Sequence, residues 1–202
     1  MKFYAYFISE DEKGIVKNWQ ECERKVKGMP GARYRSFSSE EEAEQWVKGG
    51  ARYEEKGYRA STLKKGVYFD AGTGRGMGLI EIKVTDEKGA SLLSKVFSPS
   101  HITRFGTYVI TRRSATNNYG ELLALFYALK IAMKEGEKNI YGDSRLVIDF
   151  WSKGTIREHM MSHAAVARAA KVTVLRRQFE EIGGGVHYIS GDENPADLGF
   201  HR

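Results

Sequence analysis

Apolar and polar positions divide the chain into two stretches with different patterns. Residues 2–8 (KFYAYFI) are aromatic-rich, as strands are, and a polar, acidic turn over 9–13 leads into a second short strand at 14–17. Asn18 with Glu21 three residues on is an N-capping pair, and Trp19, Cys22 and Val26 then fall at helical spacing. Gly28-Met29-Pro30-Gly31 breaks that helix. Residues 32–37 alternate, with Arg33 and Arg35 on one face and Ala32 and Tyr34 on the other. Ser38 or Ser39 opens a last helix bearing Ala43, Trp46 and Val47, which stops at Gly49-Gly50. The expected order is β-β-α-β-α within residues 1–49.

Residues 50–65 lack an apolar period and are charged, so they read as a linker. From Gly66 the pattern changes. Strands are expected at 67–70, 78–84 and 92–97, with 107–110 able to extend the sheet. Residues 119–134 form the strongest helix, with Leu122, Leu125, Leu129 and Ala132 as its buried stripe and Gly136 as its stop. A strand at 139–142 runs into a helix over 144–151. A long helix follows over 162–182, on which Val172, Leu175, Phe179 and Ile182 are spaced for a core, then a final strand at 186–189. Three strands followed by alternating helices and strands imply a mixed α/β sheet with helices packed on it, spanning 66–202.

Composition narrows the setting. The chain has 202 residues, 41% hydrophobic and 29% charged, as soluble globular proteins do, and no apolar run approaches a membrane span. Cys22 is the single cysteine, which excludes an intrachain disulfide and disfavours cysteine-based zinc sites; a reducing, cytoplasmic setting is expected. The net charge of +6 favours an anionic partner, and its distribution adds detail. Residues 1–49 carry nine basic and nine acidic side chains, residues 50–65 five and two, and residues 66–202 eighteen and fifteen. In the neutral front stretch, Arg24, Lys25, Lys27, Arg33 and Arg35 lie apart from Glu40, Glu41, Glu42 and Glu44, so one face can still be basic.

Four acids occupy suggestive places. Asp70 ends a buried strand and enters the turn Ala71-Gly72-Thr73-Gly74, where an uncompensated carboxylate is costly. Glu121 opens the strongest helix, Asp143 sits between a strand and a helix, and Asp197 follows Asn194-Pro195-Ala196. Each also has a plainer reading: Asn118 with Glu121 as a capping box, Asp143 as an N-cap, Asn194 with Asp197 around a proline at a first helical position, and Asp70 as a polar strand end. Together the four suggest a site for two divalent metals.

The order of these pieces resembles the catalytic domain of type 1 ribonuclease H. The matching segments are VYFDAGTG at 67–74, TNNYGELLAL at 116–125, YGDSRLV at 141–147 and ENPADL at 193–198. Residues 1–49 resemble the hybrid-binding domain that precedes many such enzymes, through FYAY at 3–6, GIVKNWQEC at 14–22, GARYRSF at 31–37 and EEAEQWV at 41–47. The resemblance implies a ribonuclease H-like mixed sheet with flanking helices, preceded by a small α/β hybrid-binding domain. It also implies an endoribonuclease that hydrolyses the RNA strand of RNA–DNA hybrids, leaving 5′-phosphate and 3′-hydroxyl ends. Asp70, Glu121, Asp143 and Asp197 match the metal-binding acids, with two Mg²⁺ ions expected and Mn²⁺ as the alternative ion. A catalytically silent hybrid-binding protein and another nuclease of the same fold stay open as alternatives. The partner is an RNA–DNA hybrid, no membrane is involved, and a monomer is expected.

For nucleic-acid contacts the resemblance points to Asn117 with its neighbour Asn118 in the groove, and to Thr116 at a DNA phosphate. Helix capping is the alternative for Thr116 and Asn118. Arg145, just past Asp143, is placed to reach phosphate or to sit in solvent. In the front domain it points to Trp19 against the DNA strand, with Tyr4 sharing that surface and Arg35 and Arg33 as basic contacts. Ser36 stands where the family often has Lys. Trp46 reads as core. One departure is that Asp192 falls where many members carry a loop His. His187 is expected in the last strand and His201 near the end of the chain, soon after Asp197.

Overall fold

A small three-stranded sheet and a larger five-stranded sheet carry the two stretches. The computed structural model describes residues 2–27, 29, 32–52, 63–73, 79–111, 116–157, 159 and 161–199. Ten of the sixteen residues expected to link the halves (53–62), together with Gly74 and His201, lie outside these.

In the front module, β1 (Phe3–Phe7), β2 (Lys13–Val16) and β3 (Arg33–Phe37) pair antiparallel in the order β2-β1-β3. Helices α1 (Trp19–Val26) and α2 (Glu40–Lys48) start where their caps dictate. Asn18 accepts from the Glu21 amide at 2.8 Å and Ser39 from that of Glu42 at 3.2 Å. Ala5, Cys22 and Ala43 are fully buried, small residues that allow close approach of helix and sheet. Burial pushes the Cys22 thiol up to about 11, so it behaves as an inert core residue.

The larger sheet comprises β4 (Val67–Gly72), β5 (Leu79–Thr85), β6 (Tyr108–Thr111), β7 (Asn139–Gly142) and β8 (Gly185–Tyr188), in the order β6-β5-β4-β7-β8. The first three run antiparallel, while β7 and β8 join parallel to β4. This is a mixed sheet with flanking helices, as the sequence pattern predicts. Val67, Phe69 and Ala71 turn one face of β4 toward α3 (Asn117–Glu135), which is buried on several sides because α4 (His163–Glu181) covers it. Leu122, Leu125, Leu129 and Ala132 are all fully buried, and Gly136 ends α3 in the left-handed region at φ +73°. Among the described residues no helix is long and apolar enough to cross a membrane.

Three expectations need correction. Residues 92–97 form no strand: Leu92 donates back to Val84 at 2.8 Å, and a 3₁₀ turn over Leu93–Lys95 drops Leu93 into the core. Phe97 then stacks on Tyr108, so the apolar run serves packing rather than pairing. The helix expected over 144–151 is wound as a π-helix over Leu146–Phe150 and a 3₁₀ turn over Trp151–Lys153. Buried Arg176 of α4 donates to Ser152 Oγ and to the carbonyl of Ile148, an acceptor that regular helix geometry would use itself. Ile182, expected in the core, caps α4 and is 51% exposed.

Candidate active site and nucleic-acid interface

Strand register brings the first two acids together. Tyr68 of β4 lies beside Tyr141 of β7 in parallel pairing, so two residues further along both chains Asp70 and Asp143 stand side by side at the strands' carboxyl ends. Glycines make room for this. A Cβ on Gly142 would stand 2.3 Å from the Phe69 ring, so β7 can cross Phe69 only as glycine.

Gly120 does the same for Glu121. A Cβ there would meet Ile80 Cγ2 at 2.6 Å and Ala71 Cβ at 3.1 Å, so the bare backbone lets α3 rest on β4 and β5. Thr116 caps α3, accepting from the Tyr119 amide at 3.3 Å. That removes Asn118 and Glu121 from capping duty and leaves the Glu121 carboxylate aimed at Asp70. Gly120→Ala gains up to about 1 kcal/mol of helix propensity but overpacks this contact by about 1–3 kcal/mol. We expect a net fall in melting temperature of a few degrees together with reduced turnover, because Glu121 moves with the helix. Unchanged melting and turnover would show that the contact relaxes freely.

One ligand oxygen from each of Asp70, Glu121 and Asp143 lies within 4.8 Å of the others. Asp70 and Glu121 are 7% and 5% exposed, and Glu121 Oε2 is buried with no hydrogen-bond partner. Burial, reinforced by the Asp143 charge, raises the Asp70 carboxyl well above its ordinary range. Burial and then Asp70 and Asp143 do the same to Glu121. An orphaned carboxylate oxygen among three crowded acids is a donor set suited to a hard divalent cation, which takes oxygen ligands.

Asp197 is not within this group of three, but its charge acts on Asp70 and helps to raise its carboxyl. The segment bearing it is stitched to β4. Asn194, fully buried, donates Nδ2 to the Phe69 carbonyl at 2.9 Å and accepts from the Ala196 amide at 3.0 Å, while the Leu198 amide donates to Asp70 Oδ2 at 2.8 Å. Pro195 opens no helix among the described residues, so Asp197 is not a helix cap. Asn194 was read from sequence only as a capping residue; its tie to β4 spans 125 positions. A Cβ on Gly191 would come within 2.8 Å of Asp143 Oδ2, so this loop too closes on the acids.

The raised carboxyls give a pH prediction with a definite sign. An acid whose folded value lies above its unfolded one, about 4, stabilises the fold below that pH and loses the contribution as pH rises through the folded value. In chelator, Asp70→Asn is therefore expected to melt close to wild type near pH 4 and higher at pH 8, by roughly 3–8 °C. Added Mg²⁺ should narrow the gap at pH 8. A gap that shrinks as pH rises would contradict the arrangement of charges.

The expected nucleic-acid contacts divide. The Trp19 ring lies between Tyr4 and Tyr34, with centroids 5.9 and 5.4 Å away, forming one half-exposed aromatic face. Tyr34 was not foreseen as a contact, although its alternation with Arg33 and Arg35 was visible. Arg35 lies on the opposite face of β3, with its guanidinium 5.4 Å from the Phe37 ring. Trp46, expected in the core, is half-buried: it packs on Phe37 and donates Nε1 to the Arg52 carbonyl at 2.7 Å. Arg33 is corrected outright. It is 3% exposed and gives two nitrogens to Glu81 of β5 at 2.8 and 2.5 Å, so its charge is spent inside the protein. Beside the acids, Thr116 and Asn118 are exposed and Asn117 half-buried. The Arg145 guanidinium lies 3.8 Å over the Tyr188 ring. His187, on β8, packs against Tyr141 at 5.2 Å, and Asp192 is exposed in the following turn.

Residues 2–47 match the family model described as the Ribonuclease H1 N-terminal domain. Similar solved structures include LC11-RNase H1 in complex with an RNA/DNA hybrid, at 21% identity over 65% of this chain and 88% of that one, with a TM-score of 0.41. A second is the N-terminal RNase H domain of a Mycobacterium tuberculosis protein fused to maltose binding protein, at 18% identity over 66% and 86%, with a TM-score of 0.40. A third is RNase H1 from the halophilic archaeon Halobacterium salinarum NRC-1, at 19% over 64% and 89%, with a TM-score of 0.35. Residues 2–47 are thus similar to the ribonuclease H1 N-terminal domain.

Proposed function

We propose that the protein is an endoribonuclease that hydrolyses the RNA strand of RNA–DNA hybrids, of the kind left by replication primers and R-loops. The observation that carries this reading is the convergence of Asp70, Glu121 and Asp143 at the end of a ribonuclease H-like sheet, with Glu121 Oε2 buried and unpartnered. These three, with Asp197 beside them, would hold two Mg²⁺ or Mn²⁺ ions. Such ions, when bound, supply activation of the attacking water and stabilisation of the leaving 3′ oxygen.

The chain's own residues do the rest. Asn194 and the Leu198 amide hold the Asp197 turn and the Asp70 carboxylate against each other, so the acids are fixed before substrate arrives. Thr116, Asn117 and Asn118, at the start of α3, lie one turn from Glu121 and are available to the nucleic-acid groove. A 2′-hydroxyl distinguishes the strand to be cut, since it both donates and accepts. Arg145, propped on Tyr188, offers a positive charge to phosphate close to Asp143. The Trp19 face supports the DNA strand away from the acids.

The test is a matched set of end-labelled hybrid, DNA duplex and RNA duplex incubated with Mg²⁺ or with chelator. Cutting of the RNA strand of the hybrid alone, only with metal, and with 5′-phosphate ends supports the reading. Cutting that survives chelator, or equal cutting of duplex DNA, would overturn it.

A further inference from the structure

The buried pair made by Arg33 joins the two halves of the protein. Its acceptor, Glu81, is 6% exposed and takes a third hydrogen bond from Thr107 Oγ1 at 2.5 Å. Thr107 is itself held by Thr103 at 2.6 Å. The Arg33 guanidinium also lies 4.1 Å over the Phe105 ring. Arg104 reaches the other way. It donates to Glu10 and, at 2.7 Å, to the Gly50 carbonyl, and lies 3.8 Å over the Phe7 ring. Two arginines thus cross in opposite directions, each ending on a carboxylate and an aromatic ring. A buried carboxylate with three donors and a guanidinium paired through two of its nitrogens satisfy each other only while the halves are docked.

The position of this contact matters. Register sets Asp70 opposite Lys83 and Gly72 opposite Glu81, so Glu81 shares a sheet face with Asp70 and is its diagonal neighbour, within about 8 Å. On the front module the contact uses the ends of β1 and β3. Tyr34 follows Arg33 and therefore points to the other face of the small sheet, where it meets Trp19. The docked module keeps its aromatic face clear of the contact.

We propose that Arg33, Glu81 and Thr107, with Arg104 on Glu10 and Gly50, latch the front module to the catalytic sheet and hold the Trp19 face at a fixed offset from the acids. The module then acts as a ruler, which limits where along a hybrid the RNA is cut; this second part rests on the function proposed above. A flexible tether would raise local concentration without fixing an offset.

Buried, unreactive Cys22 permits site-specific labelling of the full chain. Spin labels at Gln45→Cys on α2 and Glu181→Cys on α4, both exposed positions, should give one narrow distance distribution without nucleic acid. Arg33→Glu, which faces Glu81 with a like charge, should broaden it, and Arg104→Glu, an exposed change that spares the core, should broaden it as well. Circular dichroism melts confirm that each variant is folded. A broad distribution in the wild type, or a narrow one in both folded variants, would overturn the latch. On a short end-labelled hybrid, wild-type cuts should cluster within a few positions, and Arg104→Glu should spread them several-fold wider. An unchanged pattern in a variant whose distances have broadened would overturn the ruler. If the wild type cuts no hybrid, the proposed function fails, and the distance measurement still decides the latch.

Discussion

Asp70→Asn and Asp143→Asn are each expected to abolish cleavage of a hybrid while leaving its binding largely intact. An amide oxygen is a weaker ligand than a carboxylate, and the charge stabilisation lost amounts to several kcal/mol, or roughly 10³-fold or more in rate. The two variants should part company in stability. Asp70 is buried against Glu121 and Asp143, so its neutral replacement relieves repulsion in the metal-free protein and preserves an acceptor for the Leu198 amide. Asp143 is half-exposed and offers less relief. Single-turnover cleavage, hybrid affinity by fluorescence anisotropy and melting in chelator separate these effects. Near wild-type cleavage by either variant in Mg²⁺ would remove that acid from the proposed site.

Trp19→Ala should weaken hybrid binding by roughly 5- to 150-fold, the usual worth of one aromatic platform, about 1–3 kcal/mol. The ring is half-buried between Tyr4 and Tyr34 and stands at the start of α1 rather than in the core that Ala5, Cys22 and Ala43 define, so the module should stay folded. Charge is unchanged, so the slope of affinity against salt should be kept while its level falls. Cleavage at saturating enzyme should change little, since the acids are untouched. Anisotropy titrations over a range of salt, set beside single-turnover rates, check both statements. Wild-type affinity in a folded variant would mean that the aromatic face does not carry the DNA strand.

How much of this was legible in the sequence follows from the range of each interaction. Strands, caps and the stripe of α3 are local, and Asn18, Ser39 and Gly136 perform the roles their types and positions suggest. Asp70, Glu121 and Asp143 could be singled out because each ends or opens an element, and the structure brings those three together. Asp197 was grouped with them on its place in the order and on the resemblance, and the tie that holds its turn to β4, from Asn194 to the carbonyl of Phe69, is not visible in the sequence. Arg33 was misjudged for a similar reason. Alternation put it on a basic face, but nothing local indicates that a carboxylate 48 residues away covers that face. The apolar run at 92–97 has strand composition, and only the ring of Tyr108 and the space under α3 decide that it coils instead.

The two-ion site is tested most directly by anomalous scattering from crystals of the full chain grown with Mn²⁺ and an uncut hybrid analogue. The account predicts two peaks, both bounded by the carboxylates of Asp70, Glu121, Asp143 and Asp197 and both touching the same phosphate of the RNA strand. No peak at these acids, or a phosphate of the DNA strand in that place, would contradict it.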